Sequence, residues 1–484
     1  MKRVSTLKYL LLFLIAFSCG SDSRTPGSDP VTPGPIGDEV VKPDFNPMQV
    51  TSHDGKPFST GVATPGGTIG GPGGVVMMQA FYWDVPMGGT WWDIIKSKTK
   101  SWSDAGIGAI WLPPVSKGMS GGFSMGYDPY DYYDFGNFEQ HGTVETRFGS
   151  KDELVALITE AHGNRMLVYA DIVLNHNSGG SLEYNPYMQK DTWTDFTGVK
   201  SGLFKRNYED FHKNAISDYD EGSFGEMPDL SHKRQYVQDW LWKKPESVAQ
   251  YYKNTMKFDG WRFDYVKGFG TWVIKDFMAS APGFAVAENW DGNPDVLEQY
   301  TNATGINAFD FSTYYKMKDA FDGRDLNKLK DDMFWKRQPY KAVTFVTNHD
   351  TDEITAKNYA YAYILTHEGY PTIFYRDYEE WLNKGALNKL ISIHNELATG
   401  NTTIMYVDND EYIMRRNGYN GNPGLILYIN MSNSVQEKWV ESNWESKEIK
   451  DHTGNAANWN PTTRSDKWVR LKAPAGSYSV YSLK

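Results

Sequence analysis

The sequence holds one cysteine, Cys19, in 484 residues, so it can form no intrachain disulfide and no centre built on several thiolates. It lacks a long apolar run: the stretch from Tyr9 to Phe17 falls well short of the roughly 20 residues a membrane-spanning helix needs. Like charges never gather into a block of five or six, and the net charge is −11, which argues against nucleic acid or an anionic membrane surface as partner. No segment repeats at a fixed period, so a solenoid is excluded. Stability must come from packing and from any bound ion.

Met1, Lys2 and Arg3 followed by the short apolar run read as a signal peptide over residues 1–18. The string LIAFSC ends in Cys19 and resembles the lipobox of bacterial lipoproteins. That resemblance implies an acylated Cys19, a lipid as the only membrane attachment, and a place outside the cytoplasm at the outer membrane or cell surface. Residues 19–74, with SDSRTPGSDPVTPGPIGDE and TPGGTIGGPGG, have linker composition. Within them Met48 to Val62 has some apolar content and stays unassigned.

Beyond Val75 eight short apolar runs appear: VVMMQAFYW, AIWLPP, MLVYADIVLNH, FDGWRFD, FAVAENW, NAFDF, AVTFVTNHD and PTIFYRD. Helix-period stretches such as DELVALITEAH and YVQDWLWKKPESVAQYYKNTMK separate them. Strand alternating with helix implies a parallel sheet, and eight units over residues 75–398 predict a (β/α)₈ TIM barrel in the α/β class. Residues 177–232, rich in Asp, Asn, Gly and Tyr without periodicity, predict an inserted domain after strand three. Residues 399–484 switch to short alternating segments and predict a C-terminal antiparallel β-sandwich domain.

A barrel of this kind builds its site at the C-terminal strand ends, so polar residues closing apolar strands are the candidates. Strand three ends in Asp171, Asn175 and His176, strand four in Arg262 and Asp264, strand five in Glu288 and Asn289, strand seven in Asn348, His349 and Asp350. Any one acid suits a helix N-cap equally well. Several on one rim repel one another unless chemistry uses them, and Arg262 shares a strand face with Asp264 and would keep it ionised. Cleaving a glycosidic bond requires such a set: an acid for the leaving oxygen and a carboxylate for the oxocarbenium-like centre. Aromatic residues make up 15% of the chain, including 17 Trp and 31 Tyr, and their flat faces suit sugar rings as well as a core.

DIVLNH, GWRFDYVKG, AVAENW and FVTNHD resemble the four signature regions of the α-amylase family of glycoside hydrolases, in order and on the predicted strands. GVVMMQAFYWDVPMGGTWWD, GYDPYDYYDFG, GTVETRFGSKDEL and PTIFYRDYEEWLNK resemble archaeal and plant-type members, so the likeness runs from Val75 toward the C-terminus and weakens in the last domain. The resemblance implies retaining endo-hydrolysis of α-1,4 bonds in starch-like α-glucans, with Asp264 as nucleophile, Glu288 as general acid and base, and Asp350 as the orienting acid. It implies substrate contacts by Tyr127, His176, Arg262, Lys267 and His349. It also implies Ca²⁺ held by Asn175, Asp220 and Asp229 with the carbonyls of Gly222 and Gly268. Zinc is not expected: of the two His and one Cys of archaeal zinc sites only His212 remains, with Ser217 and Ser231 at the other positions. A monomer is expected. The alternatives are a transglycosylating or maltogenic sibling activity, and a lipid-anchored protein that binds starch without cleaving it.

Overall fold

The computed structural model describes residues 39–53 and 76–484, with the backbone of the pairs Ala63–Thr64 and Gly67–Thr68. Cys19 and the leader lie outside the described residues. The chain divides into a unit Met1–Val41 and a unit Lys42–Lys484, and the second holds the barrel, its insertion and the C-terminal sheets.

Eight parallel strands close into a barrel: β1 Val76–Gln79, β2 Ile107–Trp111, β3 Leu167–Ile172, β4 Gly260–Phe263, β5 Phe284–Ala287, β6 Asn307–Phe309, β7 Ala342–Phe345 and β8 Tyr370–Phe374. They are the eight runs the sequence predicts. Neighbours follow chain order, and β8 pairs with β1 to shut the ring. Nearly every strand residue is buried, because helices cover the outside and side chains fill the inside; this is why the strands read as continuous apolar runs rather than as alternation. Register sets Arg262 beside Asp171 on β3 and Val286 on β5, which brings three polar strand ends together.

The helix Lys151–Gly163 starts from a reciprocal cap in which Ser150 accepts from the Glu153 amide and Glu153 accepts from the Ser150 amide. The long helix expected around 236–257 forms instead as short α and π turns: Gln235–Gln238, Asp239–Lys243, Val248–Gln250 and Tyr251–Thr255. Pro245 explains the break, since it lacks an N–H and forces Lys244 out of the helical region, to φ −81° and ψ 161°.

After β3 the inserted segment carries an antiparallel hairpin, Ser181–Asn185 with Lys190–Asp195, and a 3₁₀ turn, Tyr208–Asp210, and otherwise runs as loops. Bridges His176 to Asp229 and Phe211 to Leu230 tie its end back to its start. The C-terminal residues form two sheets. One contains Thr402–Val407, Glu411–Arg416, Leu425–Asn430, Ser477–Leu483 and Ile449–Asp451, and the other pairs Gln436–Glu441 with Trp468–Ala473. Ile413, Ile426, Tyr428, Val440, Val469, Leu471 and Tyr481 pack between them as a sandwich core. Met48–Gln49, unassigned from sequence, adds an edge strand to the larger sheet against Thr403 and Ile404. Among the described residues no helix is long and apolar enough to cross a membrane.

Candidate active site

Asp264, Glu288, Asp350, Tyr127, His176 and Lys267 all line one cavity of about 590 Å³ at the C-terminal strand ends. Arg262 lies just beneath, 1% exposed, and its single guanidinium meets three carboxyl groups. Nη1 donates to Asp264 Oδ1 at 2.7 Å and to Asp171 Oδ1 at 2.9 Å, while Nη2 stands 2.7 Å from Glu288 Oε1. The sequence pattern pairs Arg262 with Asp264; the structure adds Asp171 and Glu288 to the same cation.

One positive charge cannot balance three carboxylates, and the local pKa values reflect it. Burial pushes Glu288 up to about 8, aided by the Asp264 charge and opposed by Arg262 and by the Tyr265 amide, which donates to Glu288 Oε2 at 3.1 Å. Tyr265 sits in the left-handed region at φ 43°, the strained turn that aims this amide. Burial likewise pushes Asp171 up to about 6 against the pull of Arg262, and Trp111 and Tyr127 each donate to its Oδ2, at 3.0 and 2.8 Å. Burial alone would raise Asp350 too, but the contact with His349 and the charge of Arg262 outweigh it and hold this carboxyl below its ordinary range.

His349 owes its tautomer to a residue that the strand-end pattern does not single out. Gln79, closing β1, places Nε2 2.9 Å from His349 Nδ1, so Nδ1 accepts and Nε2–H faces Asp350 Oδ2 at 3.1 Å. His176 is set the other way: Nε2 donates to the Tyr127 carbonyl at 3.0 Å, leaving Nδ1 buried as an acceptor with no partner among the described residues. The Tyr127 ring stacks on His349 at 5.2 Å and on Trp83 at 6.0 Å, giving a flat apolar wall. Trp83, 48% exposed, and Trp290 are further cavity aromatics that no strand-end rule finds. Lys267 pairs with Asp291 at 2.9 Å.

The five residues expected to hold calcium fall into two adjoining groups. The Asn175 side-chain amide, fully buried, aims one heavy atom at the carbonyl oxygens of Gly222 and Gly268, 3.2 and 3.1 Å away. As oxygen it completes a three-oxygen cradle; turned over, it donates to both. A Cβ on Gly268 would collide with that amide, so a side chain there would fill the cradle. Asp220 and Asp229 lie with His212 in a set whose ligand atoms are within 4.8 Å of one another. Each aspartate keeps a buried Oδ1 with no partner among the described residues, and burial plus the Asp220 charge push Asp229 up to about 9. Unpaired oxygens around a buried, charge-strained pair fit a hard cation that takes six to eight oxygen ligands. Ser217 gives His212 Nδ1 only a main-chain carbonyl, at 3.4 Å, and the Ser231 hydroxyl is buried without a partner among the described residues.

Residues 86–275 match the family described as "Alpha amylase, catalytic domain", and residues 425–482 match "Alpha-amylase C-terminal". The α-amylase of Geobacillus stearothermophilus is 31% identical over 480 residues, 84% of this chain and 86% of that protein. A glucan 1,4-alpha-maltohexaosidase of Bacillus sp. strain 707 is 29% identical over 480 residues, 84% and 92% of the two chains. Among solved structures an Anoxybacillus α-amylase superposes with a TM-score of 0.65 at 20% identity, over 85% of this chain and 98% of the other, a likeness of fold.

Proposed function

The chain belongs to the α-amylase family of glycoside hydrolases, and from that membership we propose how its own residues cut the bond. Its activity is that of an α-amylase: hydrolysis of α-1,4-glucosidic bonds within glucans. Glu288, neutral at pH 7, donates its proton to the glycosidic oxygen as that bond breaks. Asp264, held by Arg262, attacks the anomeric carbon and forms the glycosyl-enzyme. Glu288, now a carboxylate, takes a proton from water as the water displaces Asp264, and configuration is retained. The observation that carries this reading is the shared guanidinium. It stands 2.7 Å from Asp264 Oδ1 and 2.7 Å from Glu288 Oε1, so both carboxyl groups share one cation, and the retaining reading requires them to lie about 5 Å apart.

Asp350 and His349 act as one unit that orients the sugar at the cleaved bond, while Tyr127 supports its apolar face and the free Nδ1 of His176 accepts a sugar hydroxyl. Lys267 serves the leaving-group side of the cavity. Calcium, held by Asn175, Asp220, Asp229 and the carbonyls of Gly222 and Gly268, would pin the inserted segment to the barrel and takes no part in bond cleavage. Acylation of Cys19, a position outside the cytoplasm and a monomeric state complete the proposal; the leader's charge and apolar pattern supports the first two.

Replacing Glu288 by Gln tests the assignment. Hydrolysis of soluble starch should fall by about 10²–10⁴-fold or more while maltooligosaccharide binding persists. Near-normal turnover would remove Glu288 from its role.

A further inference from the structure

We propose, resting on the α-amylase reading of the cleft, that the hairpin Ser181–Asn185 with Lys190–Asp195 carries an accessory face for the same glucan chain, outside the residues that cut the bond. The alternation of this hairpin is inverted. A two-stranded ribbon on a protein surface ordinarily turns its apolar residues inward and its polar ones to water. Here Glu183 and Thr192 are half-buried and Thr194 is buried, with their polar groups paired: Glu183 Oε1 accepts from the Tyr208 amide at 2.6 Å, and the Thr192 and Thr194 hydroxyls bond at 2.7 Å. Leu182, Tyr184 and Trp193 take the other face and are 52%, 59% and 59% exposed. Register gathers them. Tyr184 pairs with Asp191 and Glu183 with Thr192, and the irregularity between Thr192 and Asp195 sets Trp193 across from Leu182 and diagonal to Tyr184. Grouped on one face, these side chains form a patch of the kind that binds a ligand.

The ligand follows from the side chains and from where the face begins. Tyr and Trp present flat apolar surfaces with a polar edge, matched to a sugar ring whose C–H face is apolar and whose rim is hydroxyl. Asp191, exposed beside Tyr184, supplies an acceptor for those hydroxyls. A lipid surface fits less well: the two strands carry Glu183, Asp191 and Asp195 against Lys190 alone, so an anionic headgroup layer is repelled. The face also joins the cleft. Ser120 and Phe123 line the cavity, Met119 beside Ser120 is exposed, and Ser178 Oγ lies 3.1 Å from Met119 Sδ. A Cβ on Gly179 would run into the Met119 side chain, and one on Gly180 into the Trp193 carbonyl, so both glycines let the hairpin lie against the cleft rim. Six steps of chain separate the cavity residue His176 from Leu182, a span of at most about 22 Å. A polymer held in the cleft therefore reaches the hairpin, whereas a trisaccharide centred on the cleaved bond stops short of it. Two contacts on one chain reinforce each other through effective concentration.

The test compares long and short substrates on the full chain. Tyr184→Ala combined with Trp193→Ala should raise KM for soluble starch by roughly tenfold while leaving kcat, and all kinetics on a chromogenic maltotrioside, unchanged. In the Glu288→Gln background, which leaves the polymer uncut, the same pair should remove most of the retardation of the protein in native gels containing amylose. Trp193→Phe alone, which keeps a ring, should retain most of both effects. Should the double variant fail to fold, soluble starch must still shield Tyr184 of the Glu288→Gln protein from nitration by tetranitromethane, read by peptide mass. Unchanged KM and retardation in the double variant, equal losses on both substrates, or an unshielded Tyr184 would each overturn the glucan face. So would a double variant that loses binding to phosphatidylcholine–phosphatidylglycerol vesicles but not to starch. An unaltered chain that cleaves neither substrate would instead refute the reading of the cleft.

Discussion

Arg262 faces Asp171, Asp264 and Glu288 with a single charge, and burial settles the excess by leaving Glu288 with its proton. This has a consequence for pH. A general acid acts only while protonated, so in the role proposed for it the contribution of Glu288 is fully present below its folded pKa and is lost as pH rises through about 8. The alkaline limb of kcat/KM, measured on a short maltooligosaccharide from pH 5 to 10, should bend near that value. A profile flat to pH 10 would mean that something else supplies the proton. Asp264, Glu288 and Asp350 are legible in the sequence because a polar residue at the end of an apolar strand stands out. Gln79 is not, since VMMQAF gives no sign that its amide reaches across the barrel to a histidine 270 positions away. The direction of a lone pair depends on contacts, and contacts of that span have no local signature.

Elements are easier to read where packing is uniform and harder where one residue interrupts it. The eight strands are visible as apolar runs because both faces of each are covered. The strands Gln436–Glu441 and Ile449–Asp451 are not, because half-exposed polar residues dilute their pattern. Gly126, in the turn leading to Tyr127, shows how an element positions the site. Its φ is +91°, and a Cβ there would run into the Pro114 carbonyl. Gly126→Ala should cost about 1–3 kcal/mol of stability by strain and, by shifting the Tyr127 ring, lower kcat/KM by roughly 10–100-fold. Melting temperature and kinetics measured on the same preparation check both; normal kinetics in a destabilised variant would free the turn from any role in placing Tyr127. The inserted segment makes a comparable case. Its fold has little periodic structure to hold it, and burial with the neighbouring Asp220 charge disfavours an ionised Asp229 until a cation joins them. Chelation of calcium should therefore lower the melting temperature and re-addition restore it, the linked stabilisation being on the order of 3 kcal/mol at about 100 times Kd. No shift in either direction would eliminate the calcium cradle.

At the scale of the whole molecule the boundary at residue 398, clear in the sequence as a change from helix-period to alternating segments, does not divide the core. Ile404, Tyr412, Met414, Leu425, Leu427, Ile429 and Val480 of the C-terminal sheet belong to the same buried cluster as the barrel. Polar contacts cross as well. His367 Nε2 lies 2.8 Å from the Tyr412 hydroxyl, the Thr402 amide donates to Glu368 Oε1 at 2.8 Å, and Arg416 donates to the Thr366 carbonyl at 2.9 Å. Cutting the chain after residue 398 would expose that apolar surface. It would also leave His367 and Glu368, now 1% and 4% exposed, without these partners. The pattern of alternation reports local structure, whereas cooperativity depends on area shared between segments far apart in sequence, so the boundary is legible and the dependence is not. The intact protein should unfold in a single calorimetric transition with matching calorimetric and van't Hoff enthalpies. A chain ending at residue 398 should be insoluble or bind a hydrophobic dye as a loosened state. If that shortened chain instead melted cooperatively near the temperature of the full protein and still cleaved starch, the C-terminal sheet would be an appendage rather than a wall of the catalytic core.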